Sequence, residues 1–297
     1  MKFREDMLFN SQYHNILGKT MAIGSYELNA RTMSAINALP HQMVSVPIID
    51  RIPVIGSRQT YPKSAAAELA WSLRGEKSIS WLQKHTKMWD KFTNCHNEID
   101  CAYGWRWQHA FGRNQLFEAI DALRKDPSDR QIVIQAWDPK VDGLGNRWSK
   151  NVPCPIGFML NIIDGKLNLS FHLRSSDLVV GFIYDSILYG LLLVALANEL
   201  GVGYGQYTIF MNHAHVYESH FDIAHQMVRN YCDWQATDYP KQDGFVPQSI
   251  LIAGPIKEWG IKQILQEPNE YVEYIGNVCK RLKSSPTAMK VNPEIIA

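Results

Sequence analysis

The sequence lacks a dominant charge. Its 30 Lys and Arg residues face 29 Asp and Glu, a formal net charge of +1. That balance argues against a dedicated nucleic-acid or membrane-surface binder, so an anionic ligand must be met by a local cluster of arginines. No run approaches the roughly 18 consecutive apolar residues of a spanning helix. The longest apolar stretch, Ile187 to Leu196, is interrupted by Tyr189 and Gly190 and reads as a core helix. The opening MKFREDMLFN has no secretory apolar region. Cysteine is sparse and odd in number: Cys95, Cys101, Cys154, Cys232 and Cys279. Such scattered thiols suit a reducing cytoplasm better than a disulfide framework. Internal repeats and low-complexity linkers are also missing, and the expectation is one domain over residues 1–297.

What is present is a hydrophobic fraction of 46%, ordinary for a full core. Ser64 to Arg74 is rich in Ala and Leu and reads as a helix capped by Gly75. Asn114 to Lys125 reads as a second helix, stopped by Pro127. Arg130 to Trp137 is rich in strand formers. Ile156–Ile163 and Lys166–Leu173 flank Asp164-Gly165, a strong hairpin signal. Asp185 to Leu200 reads as a long buried helix closed by Gly201, Gln206 to Met211 as a strand, and His215 to Arg229 as another helix. Hairpins mixed with long helices predict an α+β fold with a mixed β-sheet packed with helices.

Chemistry concentrates around Val152-Pro153-Cys154-Pro155. A cysteine at a strand start is commonly structural; as a nucleophile it needs a lowered thiol pKa and a cationic neighbourhood. Arg174-Ser175-Ser176-Asp177 ends the second hairpin strand, and an Arg followed by Ser there suits a phosphate. The hairpin brings the two segments side by side. His213, His215 and His220 fit no metal-ligand spacing and no paired cysteines accompany them, so no metal is expected.

The Pro-Cys, the Arg-Ser-x-Asp, Gly181, an acidic residue heading a helix at Asp185, and His215-Val216-Tyr217 together resemble the catalytic half of thymidylate synthases. The successive intervals are 20 residues from Cys154 to Arg174, 11 from there to Asp185 and 30 on to His215. Earlier segments resemble the same family: Ala30-Arg31-Thr32, Pro40-His41-Gln42-Met43, Glu68-Leu69-Ala70-Trp71 through Gly75, Trp89-Asp90, Tyr103-Gly104 with Trp107, and Asp129-Arg130. The resemblance spans roughly residues 20 to 235.

It implies a homodimer joined through a sheet face, with a pyrimidine nucleoside monophosphate and reduced folate as ligands and neither membrane nor nucleic acid as partner. It implies Cys154 as covalent catalyst, since a thiolate adding across C5=C6 makes C5 nucleophilic. Arg31, Arg130, Arg174 and Ser175 are implied to hold the 5′-phosphate, and His215 and Tyr217 the sugar. Asp177 is implied in substrate and cofactor binding. Trp89 and Gly181 are implied to meet the folate, 5,10-methylenetetrahydrofolate. Glu68 is implied in water-mediated proton transfer, and Tyr103 as base for the C5 proton.

Asp185 stands where the synthases carry Asn. An amide answers the N3–H and O4 of uracil; a carboxyl answers the N3 and 4-amino group of cytosine. A helix N-cap is the other reading of the same residue. The substitution is similar to that of cytidylate hydroxymethylases, which implies 5-hydroxymethylation of dCMP. CMP as substrate, or reductive methylation, remain the alternatives. Pro155 replaces a His, Phe92 a Trp and Gln131 an Arg of the family pattern, and residues 293–297 diverge from the synthase tail.

Overall fold

The Asp164-Gly165 turn obeys its chemistry: both residues take positive φ, 51° and 69°, as a two-residue hairpin loop of the primed type requires. The computed structural model describes residues 5–30, 33–144, 152–236, 248–251 and 254–279. Helix α1 (Glu5–Ile23) leads to strands β1 (Ser25–Asn29), β2 (Ser34–Pro47) and β3 (Arg51–Val54). Helices α2 (Pro62–Leu73), α3 (Tyr103–Trp105) and α4 (Gln115–Lys125) precede strand β4 (Val133–Gln135). The hairpin is β5 (Pro155–Ile163) and β6 (Lys166–Leu173), followed by β7 (Ser176–Asp177). Helix α5 (Gly181–Leu200), strand β8 (Gly203–Tyr217) and helix α6 (Phe221–Gln235) come next, then β9 (Gln248–Leu251), α7 (Ile261–Gln266) and α8 (Pro268–Cys279).

The main sheet runs β1-β2-β8-β6-β5-β4, with β7 beside β8. Strands β6 and β7 lie parallel to β8 and the other neighbours are antiparallel. The sheet is therefore mixed and the fold α+β, as expected. Inward residues such as Phe158, Leu169, Phe171 and Ile209 are buried against α5 and its neighbours. The opposite face is open. Val133, Met159, Ser170, Thr208 and Ser45 form one row across it, and His172, Phe210 and Met43 form the next. Met43, Val133, Met159 and Phe210 are exposed there.

Three expectations are corrected. The segment after Met211 is no helix as far as Tyr217: β8 continues through His215 and Tyr217, and α6 starts at Phe221. Its inward alternation (Tyr207, Ile209, Met211, His215, Tyr217) is a strand period, fixed by pairing with β2 and β7. Strand β4 is only three residues long, because Asp126 to Ile132 form the loop into it. Helix α5 begins at Gly181, four residues before Asp185.

Helix α5 also has the length of a spanning helix, 20 residues at mean hydropathy 1.5, but 83% of its most apolar window is buried inside the fold. Tyr189 and Gly190 do not break it. Gly190 admits Ile52, whose Cγ2 would lie 2.7 Å from an added Cβ.

Helices α2 and α3 meet backbone to backbone. A Cβ on Gly104 would lie 1.9 Å from the Ser72 carbonyl oxygen. Gln108 Nε2 reinforces the junction, donating to the carbonyls of Ser72 and Leu73 at 3.1 and 2.9 Å. Gly104→Ala must push the helices apart and is expected to cost about 2–4 kcal/mol, as overpacked or strained core sites do. Urea denaturation of the variant measures this; an unchanged midpoint contradicts the close approach.

Candidate active site

Cys154 sits half-buried at the entrance to β5. Directly after it the strand bulges: the register slips by one residue between Pro155 and Gly157. The Ile156 carbonyl accepts from both Ala136 N and Trp137 N, at 2.9 and 3.0 Å. Bulges redirect side chains, and this one lies beside the candidate nucleophile. The hairpin register brings Arg174 alongside, with its backbone N donating to the Cys154 carbonyl at 3.0 Å. Its guanidinium turns back over the same loop. Nε donates to the Pro153 carbonyl at 2.7 Å and Nη2 to the Val152 carbonyl at 3.1 Å, while the group stacks 5.6 Å from the Trp137 ring. Two of its five N–H donors are thus used to hold the loop before Cys154, and three remain for an anion.

Two acids approach from the helices. Glu68 is buried in α2, and desolvation raises its carboxyl from 4.5 to about 7. The Trp89 indole N–H offsets part of that rise from close by, short of hydrogen-bond geometry. Asp185 is half-buried as a residue, but its carboxyl is enclosed by protein. Desolvation lifts it well above the carboxylate range, and the charges of Glu68 and then Asp177 lift it further. Asp185 is not the helix cap: Val180 holds that position, and Asp177 Oδ1 accepts from Val179 N and Val180 N at 2.9 and 3.3 Å.

Tyr103 joins the same cluster. Burial raises its phenol well above 10, with Cys154, Cys101, Asp185 and Glu68 adding to the effect in that order. Its ring meets Trp89 edge-on at 5.6 Å, and Trp89 in turn meets Trp71 and Phe92 at 6.0 and 5.6 Å. This aromatic wall, with a buried indole N–H that has no partner among the described residues, fits a flat heterocycle bearing polar edges.

On the sheet side, β7 sets Asp177 opposite His215, and Leu178 N donates to the His215 carbonyl at 2.9 Å. Burial lowers His215, with Asp177 opposing and His213 reinforcing, which favours the neutral ring. Tyr217 packs edge-on against it at 5.0 Å. Ser175 is half-buried between Arg174 and Ser176, and Gly181 opens α5 beside Asp177. Arg130 is different: it is exposed on the loop into the edge strand β4, and no contact joins it to the cluster. Arg31 lies outside the described residues, as do Thr32 and residues 293–297.

Sequence reasoning missed Tyr189, Tyr207 and Cys101. Both tyrosines are buried within the field of Asp185, which raises them further after desolvation. Tyr189 is detectable in sequence as the i+4 neighbour of Asp185. Cys101 is buried near Cys154 and pushed up to about 12, chiefly by desolvation. Among the described residues no group of His, Cys, Asp and Glu is placed to hold a metal ion.

Residues 11–240 match the family described as thymidylate synthase.

The Glu68 shift has a pH signature. Its folded pKa exceeds the unfolded one, so its contribution to stability is complete below about 4.5 and is lost as pH rises toward about 7. The loss amounts to about 3 kcal/mol at most, at roughly 1.4 kcal/mol per pKa unit. Glu68→Gln is expected to flatten that decline in chemical denaturation across the window. A decline of equal size in the variant contradicts the assignment.

Proposed function

The chain belongs to the thymidylate synthase family, which transfers a one-carbon unit from methylenetetrahydrofolate to a pyrimidine nucleotide; from that premise we propose that its substrate is dCMP and its product 5-hydroxymethyl-dCMP. The observation that carries the base assignment is Asp185: a carboxyl on α5, unused as a cap and raised by desolvation toward its neutral form. A neutral carboxyl offers an O–H to N3 of cytosine and a C=O to the 4-amino group. The amide of the synthases suits uracil instead.

Each residue then has a physical task. The Cys154 thiolate forms a bond to C6, and the electron pair of C5=C6 makes C5 nucleophilic. The folate supplies the one-carbon unit at the formaldehyde oxidation level. The aromatic wall of Trp89, Tyr103 and Phe92 stacks the incoming heterocycle, and Glu68, poised near neutrality, exchanges protons with it through water. Burial disfavours the phenolate form of Tyr103. Its O–H instead orients the water that accepts the C5 proton. With the proton and tetrahydrofolate gone, the base carries an exocyclic methylene. Water adds its oxygen to that carbon, and Cys154 leaves C6 with the bonding pair. His215 and Tyr217 bind the sugar hydroxyl and the free donors of Arg174, with Ser175, bind the phosphate.

The open sheet face supports a homodimer. Its rows of Met43, Phe210, Met159 and Val133 give an apolar centre with polar Ser45, Ser170 and Thr208 between them. Arg130, exposed on the loop into β4, then serves the phosphate site of the other copy.

Two experiments test these readings. Asp185→Asn is expected to shift the ratio of kcat/KM from dCMP toward dUMP, by roughly 5- to 150-fold per mispaired buried bond. Mass measurement of the wild-type product is expected to show a gain of CH₂O; a gain of CH₂ means reductive methylation. For the dimer, Arg130→Ala and Cys154→Ala chains, each inactive alone, are expected to regain partial activity on mixing, since one hybrid site keeps both groups. Proven subunit exchange without recovery refutes the shared site.

A further inference from the structure

A neutral carboxyl is an ambiguous reader. It has one O–H and one C=O, and half a turn about its last torsion exchanges them. One way round it suits cytosine, the other way uracil. If Asp185 reads the base as proposed above, something must hold its two oxygens in unlike roles.

Among the described residues Tyr189 is placed for this. Tyr189 lies four residues after Asp185 on α5, on the same helix face. Side chains on a helix lean toward its N-terminus, so the Tyr189 ring leans over the turn that carries Asp185. The ring cannot swing elsewhere: it stacks on Phe171 at 3.5 Å and meets Phe158 and Trp107 edge-on at 5.9 and 6.2 Å. The residue is 1% exposed, and its hydroxyl has no hydrogen-bond partner among the described residues. An orphaned buried O–H is unusual and asks for an explanation. The neighbouring Tyr207 is no substitute, because its hydroxyl already donates to the Ser186 carbonyl at 3.1 Å. Electrostatically, Tyr189 responds most to Asp185 and next to Glu68, after desolvation, and it remains a neutral donor.

We propose that Tyr189 is a specificity-positioning residue: on nucleotide binding its O–H donates to one oxygen of Asp185, confining that oxygen to acceptor and the proton to the other. The acceptor oxygen has a second lone pair for the 4-amino group of cytosine, and the protonated oxygen faces N3. A uracil ring meets donor against donor at N3. Tyr189 touches neither nucleotide nor folate; it acts through Asp185.

Tyr189→Phe tests this with the ring stack intact. The dCMP to dUMP ratio of kcat/KM is expected to fall about fivefold or more, the lower range for one buried hydrogen bond. The melting temperature is expected to stay level or rise, because the free protein loses only an unpaired hydroxyl. In an Asp185→Asn background the same change is expected to leave the ratio unmoved. If Asp185→Asn shifts the ratio and Tyr189→Phe does not, the positioning role is wrong while the base reading stands. If Asp185→Asn leaves the ratio unchanged in a folded protein, both fall. A lowered melting temperature with equal losses on both nucleotides makes Tyr189 structural and overturns the proposal.

Discussion

A carboxyl inside an apolar helix is the constraint on which this site depends. Helix α5 is buried along most of its length, and although Asp185 is half-buried as a residue, its carboxyl is largely withdrawn from water. An unpaired carboxylate there costs several kcal/mol, and the group keeps its proton instead. Glu68 is buried one helix away, raised by desolvation, and its charge adds to the rise at Asp185. Two such groups cannot both ionise cheaply. The helix side of the site is consequently lined by weakened acids, Asp185 and Glu68, and by the phenols of Tyr103 and Tyr189.

The sheet side has the opposite character. Arg174 is the cation beside Cys154, and it reaches that place through backbone geometry. The bulge at Ile156 and the pairing of β5 with β6 settle where the sulfur and the guanidinium stand before any ligand arrives. The pair Arg106–Asp142 anchors the loop behind them: Arg106 Nη1 also holds the Ala136 carbonyl at 2.7 Å, and Asp142 receives the Asp138 N–H at 2.8 Å. Acid–base groups come from helices and charge from strands, and the nucleophile lies at their seam.

Much of this was legible in the sequence where local chemistry decides. Asp164-Gly165 announced its hairpin, Gly75 and Gly201 their helix ends, and Asn114 the start of its helix, where it caps by accepting from Phe117 N at 3.1 Å. The spacing of Cys154, Arg174 and Asp185 carried the family. What failed was decided by distant partners. His215 and Tyr217 read as helix because their strand period shows only once β2 and β7 are beside them. The cap reading of Asp185 stayed open beside the base-reading one, because nothing local says that α5 starts at Gly181. Tyr189 was treated as an interruption of an apolar run, although its ring is among the largest buried side chains. Strands β1 and β2 and helix α1 were not read as elements, since the pairing that defines the strands lies with β8, far along the chain.

Strand β8 carries two unlike surfaces on one backbone. From Tyr207 to Met211 the residues of odd number face the interior and Thr208 and Phe210 face the open sheet, whereas Ala214 to Tyr217 are buried on both faces. Side chains alternate with a period of two, so a slip of one residue exchanges the surfaces wholesale. The strand can therefore drift in composition on either side, yet it cannot gain or lose a single residue between Gly203 and Tyr217 without a compensating bulge. Over evolutionary time such a strand is expected to be conserved in length more strictly than in letters, with insertions displaced to its two ends.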